Sequence, residues 1–403
     1  MNTAEEILRS KTFRNEIIEI RRHLHQNPDL SGCEQPTARF LSEKLEKAGI
    51  PFEIILGGTG IVAEIKGAQE GSQGPVVALR ADMDALPIDE KTGLPFASLE
   101  PGRMHACGHD AHTAILFGTA RILAEMRDRL KGTVKFFFQP AEESIGGAQR
   151  MIAAGCLEEP HVDCVLGLHV APDMETGTVG IRYGKMYAAS DMIDITVHGK
   201  GAHGAHPDQG IDAILTSAAI LNGIQSVISR NVAPTDPAVC SIGTIQGGNV
   251  RNQIADRVTM SGIIRTLDPA QRIAVRGRIR QVVEGTAQMM GAEAEFHVTE
   301  SYGPLVNDDR VTALVEKNAL RLLGNGHVIR EEVPVLGCED FSYFAAECPA
   351  CFFHLGCRSP KVAPQAQAGL HNCCFTIDEE CLFTGIRLQA ENVLALLNCP
   401  LSA

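Results

Sequence analysis

Apolar residues recur along the first part of the chain in two rhythms. Residues 3–25 carry Ile7, Ile17, Ile18 and Leu24 among polar neighbours, the spacing of a helix with one buried stripe. Residues 36–45 predict a second helix, opened by Pro36, with Phe40, Leu41 and Leu45 on one face. Short continuous apolar runs follow at Phe52–Leu56, Ile61–Ile65 and Val76–Leu79, and later at Val134–Phe138 and Val162–His169. Runs without alternation predict strands covered on both faces, as in a helix-covered sheet. Thr113–Met126, lying between them, predicts a helix.

The rhythm changes near Met186. Asp191–Val197 alternates, as expected of a strand with one wet face. A helix over 211–228, strands over 238–246 and 257–265, a helix over 269–290 and a strand over 293–299 complete the order β-α-β-β-α-β, that of a small ferredoxin-like sandwich. The apolar α/β pattern resumes from about residue 300. The expectation is an α/β domain built from 1–186 and 300–403, with an α+β domain over 187–299 inserted into it. A chain of 403 residues is long enough for two such cores.

Composition narrows the class without deciding it. A formal net charge of −13 with no local basic run argues against nucleic-acid or anionic-membrane partners. No apolar stretch approaches the roughly 18 residues that span a bilayer. The N-terminal Met-Asn-Thr-Ala-Glu-Glu lacks the basic and apolar regions of a secretory signal. Thirteen cysteines, an odd number in a large unsignalled chain, predict free thiols in a reducing cytoplasm. Cys348-x-x-Cys351 and the adjacent Cys373–Cys374 have no second pair to complete a zinc ribbon and read as buried thiols.

Against this background a few side chains are hard to explain by packing. Cys107 and His109 share a short turn through Gly108, Glu143 follows an apolar strand, and His169 and His371 are distant in sequence. A mononuclear zinc site needs about four ligands. Five candidates, one a thiolate able to bridge, fit two metals sharing a water, the arrangement of metal-assisted hydrolysis. Glu142 points away from its neighbour Glu143 and is placed to act as a base. Either Asp110 or Asp84 can accept the second ring N–H of a ligand histidine. His105 and His112 read as supporting or structural. His203, in a glycine-rich turn with His198 and His206, is by spacing alone an exposed loop histidine.

Together with Arg21-Arg-His-Leu-His-Gln-Asn-Pro28, Leu79-Arg-Ala-Asp-Met-Asp-Ala-Leu-Pro87, His105-Ala-Cys-Gly-His-Asp110, Phe138-Gln-Pro-Ala-Glu-Glu143, Gly167-Leu-His169, Gly199-Lys-Gly-Ala-His203, Gly337-Cys-Glu-Asp-Phe341 and Leu370-His-Asn372, these residues give the chain a resemblance that runs nearly end to end. It resembles the co-catalytic metallopeptidase and aminoacylase family, in the amidohydrolase branch of hippurate hydrolase and indole-acetyl-amino acid hydrolase type. The resemblance implies a zinc-peptidase type, phosphorylase/hydrolase-like catalytic domain and a ferredoxin-like lid that also serves as dimer interface. It implies two divalent metals per subunit, zinc first, with manganese, cobalt or nickel as alternatives. Cys107 is then the bridge, with His109, Glu143, His169 and His371 as the other ligands. Glu142 is the general base, Asp84 orients a ligand, and His203 polarises the scissile carbonyl, in relatives often from the neighbouring subunit. Asn252 and Arg265 fall where relatives meet the substrate carboxylate.

The implied activity is hydrolysis of an N-acyl amino acid by a homodimer or dimer of dimers in the cytoplasm. A dipeptidase or carboxypeptidase on the same scaffold, or a binding relative without turnover, are the alternatives. An intact Glu142 argues against the last. The chain departs from its relatives at Cys338, at Cys373 (often Pro) and in Asn252-Gln-Ile-Ala255. These positions touch pocket details and remove neither a ligand nor the base.

Overall fold

The computed structural model describes residues 4–68, 74–144, 146–359 and 368–398. The first residue of the helix expected over 3–25 lies outside them. The chain forms two compact units, one of Met1–Gly184, Val306–Glu332 and Tyr343–Ala403, the other of Lys185–Leu305 and Val333–Ser342.

The expected first helix is two. Helix α1 (Ala4–Arg9) stops at Ser10, whose hydroxyl accepts from Phe13 N as the N-cap of α2 (Lys11–Gln26). Helix α3 covers Gln35–Lys47. The larger unit is built on a mixed sheet. Its strands β1 (Phe52–Ile55), β2 (Gly60–Lys66), β3 (Val76–Asp82), β4 (Thr133–Gln139), β5 (Cys164–Glu175) and β6 (Val179–Ile181) are joined by Val328–Arg330 and Ala350–Arg358. The order is β1-β2-β4-β3-β5, then Ala350–Arg358, β6 and Val328–Arg330. Strands β3, β4, β5 and Ala350–Arg358 run parallel at its centre.

Every residue of β3 and β4 is buried, as their unbroken apolar runs require of strands with helices on both faces. The charged Lys135 within β4 is tolerated because its ammonium donates to the carbonyls of Glu158 and Cys156. Strand β5 does not end at His169 but continues to Glu175, since Val170 and Ala171 remain in the core. Helix α4 (His109–Glu125) begins four residues earlier than its apolar period indicates, because Gly108 at φ +87° turns the chain straight into it. Nearly all of α4 is buried, packed against α2 and the C-terminal helix Glu380–Asn398.

The smaller unit has the expected β-α-β-β-α-β order. Its strands lie as Ala238–Gly247, Arg257–Thr266, Ala189–His198 and Glu293–Glu300, all antiparallel. Helices Ala213–Asn231 and Pro269–Met289 bury Ile220, Ile224, Val275 and Ile279 against Ile193, Ile195 and Met260 of the sheet. Among the described residues no helix is long and apolar enough to cross a membrane.

Candidate metal centre

The central parallel strands set the stage. Their register places Asp82, the last residue of β3, beside Gln139, the last of β4, and Arg80 beside Gly167 on β5. Functional groups gather past the carboxyl ends of such strands because successive connections diverge there. Asp84 and the segment 140–143 follow β3 and β4 directly, His169 lies on β5, and the turn 105–108 leads into α4. Sequence-distant His371 joins them through its backbone, which donates to Ala106 O at 2.8 Å in a left-handed conformation (φ +61°).

All five predicted ligands come together. Donor atoms of Cys107, His109 and His169 lie within 4.8 Å of one another, and so do those of Cys107, Glu143 and His371. Cys107 belongs to both groups. His109, Glu142 and Glu143 form a third. Cys107 Sγ is 3.3 Å from His169 Nε2, His109 Nε2 is 3.8 Å from Glu143 Oε1, and His371 Nε2 is 3.3 Å from that same oxygen. Zinc bonds of about 2.0–2.3 Å at tetrahedral angles give ligand-to-ligand edges of roughly 3.3–3.8 Å. The side chains are therefore already spaced as ligands.

His109 Nε2 is buried with no hydrogen-bond partner, and Glu143 Oε1 has no well-aligned hydrogen bond, only the ion pair with His371. An orphaned buried polar atom costs about 1–3 kcal/mol, so His109 Nε2 calls for a partner. The charges point the same way. Burial opposes a charged His109, yet Asp82 and Asp84 outweigh it and raise the imidazole to about 10. Burial, with the charges of Glu143 and Glu142, pushes the Cys107 thiol well above its ordinary value. His371 is raised by its contact with Glu143, while burial, helped by His112, holds His169 well below the usual range. Protons sit where an acidic, partly desolvated donor set would otherwise take cations. The residues fit divalent metal ions, which displace such protons.

The supporting groups are fixed in turn. Of Asp84 and Asp110, it is Asp84 that bonds to His109. Its Oδ1 accepts from His109 Nδ1 (3.2 Å) and Glu142 N (3.1 Å), and its Oδ2 from Ser31 Oγ (2.6 Å) and Glu143 N (3.0 Å). Asp110 is engaged elsewhere, with Arg21 and His25. His112 donates from Nδ1 to Asp82 and accepts Val170 N–H at Nε2, a structural role. His105 is fully buried, and burial takes its imidazole down to about 4.

One participant is not visible in the sequence. Glu34 precedes α3, where an acidic residue ordinarily reads as a helix N-terminal charge. Its side chain instead turns inward, and Oε1 accepts from Gly32 N (2.9 Å) and Ala141 N (2.8 Å). Ala141 is itself left-handed (φ +57°). Three consecutive backbone N–H groups, 141 to 143, are thus held by two buried carboxylates.

The remaining predicted residues belong to the smaller unit. His203 is exposed on a two-stranded ribbon, opposite Gln253, and its Nδ1 accepts Ala205 N–H at 3.1 Å. In the neutral ring that leaves the hydrogen on Nε2. The carbonyl of Asn252 accepts from Gly204 N, next to His203. Arg265 lies on strand Arg257–Thr266, and its Nη1 is buried without a hydrogen-bond partner.

This sheet, with metal-type donors past its parallel strand ends, defines a hydrolase of the metallopeptidase class. The chain belongs to Peptidase family M20/M25/M40, whose model matches residues 78–395. It is 40% identical over 388 residues to the N-acetylcysteine deacetylase of Bacillus subtilis, covering 96% of this chain and 98% of that protein. It is 39% identical over 387 residues to thermostable carboxypeptidase 2 of Saccharolobus solfataricus, covering 94% and 95%. A dinuclear metal-binding M20 peptidase from Bacillus subtilis superposes with a TM-score of 0.84 at 37% identity, covering 96% of this chain and 99% of that one.

Proposed function

We propose that this protein is a metal-dependent amidohydrolase that cleaves N-acyl amino acids to a carboxylate and a free amino acid. The observation that carries the reading is the sharing of Cys107 by two three-donor groups, which suits a thiolate bridging two cations. The similar deacetylase and carboxypeptidase have a common denominator in their names: each releases an acyl group, simple or peptidyl, from an amide. The implied substrate is an amino acid with a free carboxylate, acylated on nitrogen.

Cys107, His109, Glu143, His169 and His371 are the proposed ligands of two divalent ions. Thiolate, imidazole and carboxylate together favour zinc or cobalt, with manganese and nickel admitted by the harder donors. Such ions, when bound, polarise the amide carbonyl and acidify water. Glu142 takes the proton of the attacking water and delivers it to the leaving amine nitrogen. Its backbone N–H is held by Asp84, which fixes the point from which the side chain reaches the water. The Nε2–H of His203 donates to the oxyanion that develops on the acyl carbonyl. Asn252 and Arg265 bind the substrate carboxylate, and the unpartnered Nη1 of Arg265 supports that assignment.

The smaller unit is proposed as lid and homodimer interface. Strand Ala238–Gly247 is the outer strand of its sheet, and Ile245 on that strand and Leu215 on helix Ala213–Asn231 are more than half exposed. An open edge with exposed apolar residues is a surface for pairing with a second copy. All cysteines among the described residues are free thiols, which supports a cytoplasmic setting.

The test is a panel of hippurate, acetyl-amino acids and dipeptides offered to the metal-reconstituted protein. Acyl-amino acids are expected to turn over fastest. Preference for dipeptides would move the reading to a dipeptidase, and no hydrolysis of any member would end it.

A further inference from the structure

Cys373 and Cys374 were expected to be buried, yet both are partly exposed. They occupy the centre of a β-turn that Phe375 N closes onto Asn372 O at 2.9 Å. The turn is held on three further sides. Cys374 N donates to Asn372 Oδ1 (2.9 Å), Lys91 N donates to Cys373 O (2.7 Å), and Cys374 Sγ lies 3.8 Å from Lys91 O. In this fixed frame the two sulfurs face each other at 3.9 Å.

Two outcomes are open to neighbouring thiols so placed, and geometry separates them. A disulfide needs sulfurs at about 2.05 Å and Cα atoms usually about 4.4–6.8 Å apart. Consecutive Cα atoms across a trans peptide are held at about 3.8 Å, so a direct S–S bond strains the turn. A single bridging atom with bonds near 2.3 Å to each sulfur spans roughly 3.3 Å at a right angle and roughly 3.8 Å at a tetrahedral one. From 3.9 Å the thiols need close by only a few tenths of an ångström to hold such an atom. Residues 372–375 of the turn offer no third sulfur or imidazole, and the adjacent His371 is engaged with Glu143 at 3.3 Å, so the fitting ligand is a soft centre content with two thiolates.

We propose that Cys373 and Cys374 form a dithiol site that captures one thiophilic centre, of the class represented by trivalent arsenicals, between their two sulfurs. With phenylarsine oxide as the probe, both S–H bonds break and two As–S bonds form. The arsenic-bound oxygen leaves as water carrying the two thiol protons, and arsenic stays trivalent throughout. Neither cysteine is a proposed ligand or catalytic group, although the turn directly follows His371, so the site is tested by a readout other than hydrolysis.

The experiment uses the full-length, metal-loaded protein with one equivalent of phenylarsine oxide, read by intact mass. One phenylarsenic adduct is expected, stable to 2-mercaptoethanol and removed by the chelating dithiol 2,3-dimercaptopropanol. Cys373→Ser and Cys374→Ser should each abolish it, whereas Cys348→Ser should keep it. Fragment mapping of the wild-type adduct to residues 373 and 374 supplies the same answer should a variant fail to fold. Absence of an adduct on the wild type, its survival in either serine variant, or its mapping to other cysteines overturns the proposal. Because the readout is mass, it stands or falls apart from any assay of amide hydrolysis.

Discussion

Replacing Asp84 with asparagine changes one atom and tests how the site is held. The carboxylate accepts four hydrogen bonds, two on each oxygen, and is 1% exposed. A carboxamide accepts on one side only. With its NH2 toward Ser31 and Glu143, the serine hydroxyl can rotate to accept, but Glu143 N–H is stranded. With its NH2 toward His109 and Glu142, the Glu142 N–H is stranded, and His109 can adapt only by moving its hydrogen to Nε2, the atom offered to metal. The first orientation is cheaper, at about 1–3 kcal/mol for one unsatisfied buried N–H. In both, His109 loses a charge-assisted bond that raises its basicity, and loss of such a partner typically weakens metal binding about 10–100-fold. Asp84→Asn should therefore lose about 1–3 kcal/mol in urea denaturation of the metal-free protein and bind metal at least about tenfold more weakly in competition with a chelator. A variant whose metal affinity stays within about threefold of wild type, with unchanged stability, would refute the idea that Asp84 organises both His109 and the 142–143 backbone.

Other expectations follow from the same geometry. Glu142→Gln should keep its full metal content and lose about 10²–10⁴-fold in kcat, and retention of more than about a hundredth of wild-type activity would remove it as the base. Mixing His203→Ala with Glu142→Gln subunits should restore partial hydrolysis if His203 acts across a dimer, and a verified mixed dimer with no recovery places it in cis or outside catalysis. Gly108→Ala puts a Cβ 2.4 Å from Val170 Cγ2 on a backbone at φ +87°, so a loss of at least about 2 kcal/mol is expected in urea denaturation, from strain and overpacking combined. Burial pushes Glu34 up to about 7. A carboxyl raised above its unfolded value of about 4.3 contributes stability below that pH and loses it as pH rises through about 7. The stability of Glu34→Gln relative to wild type should therefore improve between about pH 4.5 and 7.5, and a flat difference across that window would contradict the assignment.

Much of the scaffold is legible because a single physical cause governs it. Strands β3 and β4 are covered on both faces, so their sequences are unbroken runs. The strands of the smaller unit have one wet face, so theirs alternate, and the element order followed. Errors arise where a side chain rather than hydrophobicity decides. Ser10 is tolerable inside an apolar period, and only its bond to Phe13 N marks a break. Gly108 starts α4 through a left-handed turn that no hydrophobic period records. Within the site, the donor side chains that gather were legible as candidates because thiol, imidazole and carboxylate beside glycine turns and strand ends have few packing uses. Which aspartate orients His109 was not, since Asp110 is adjacent in sequence and equally suited chemically. The choice is made by Arg21 and His25 of α2, which occupy Asp110 from a helix far away in the chain.

Glu34 shows why the rest was beyond reach, and what the site is for. Its bond to Ala141 spans 107 residues, so no local pattern could announce it. Yet it shares the work of Asp84: between them they fix three successive N–H groups and support the left-handed Ala141, a conformation that costs about 1–2 kcal/mol in a non-glycine residue. That outlay holds the backbone of Glu142 and Glu143 in place on their own strand end. It also concentrates negative charge, because Asp82, Asp84 and Glu142 are all buried, while Arg80 pairs directly with Asp82. The surplus is met in the metal-free protein by protons, on His109 and on the Cys107 thiol. If Cys107 and His109 are ligands, divalent cations must displace those protons, so metal affinity should rise with pH as both groups are relieved of theirs, and a flat dependence in chelator competition would remove them as ligands.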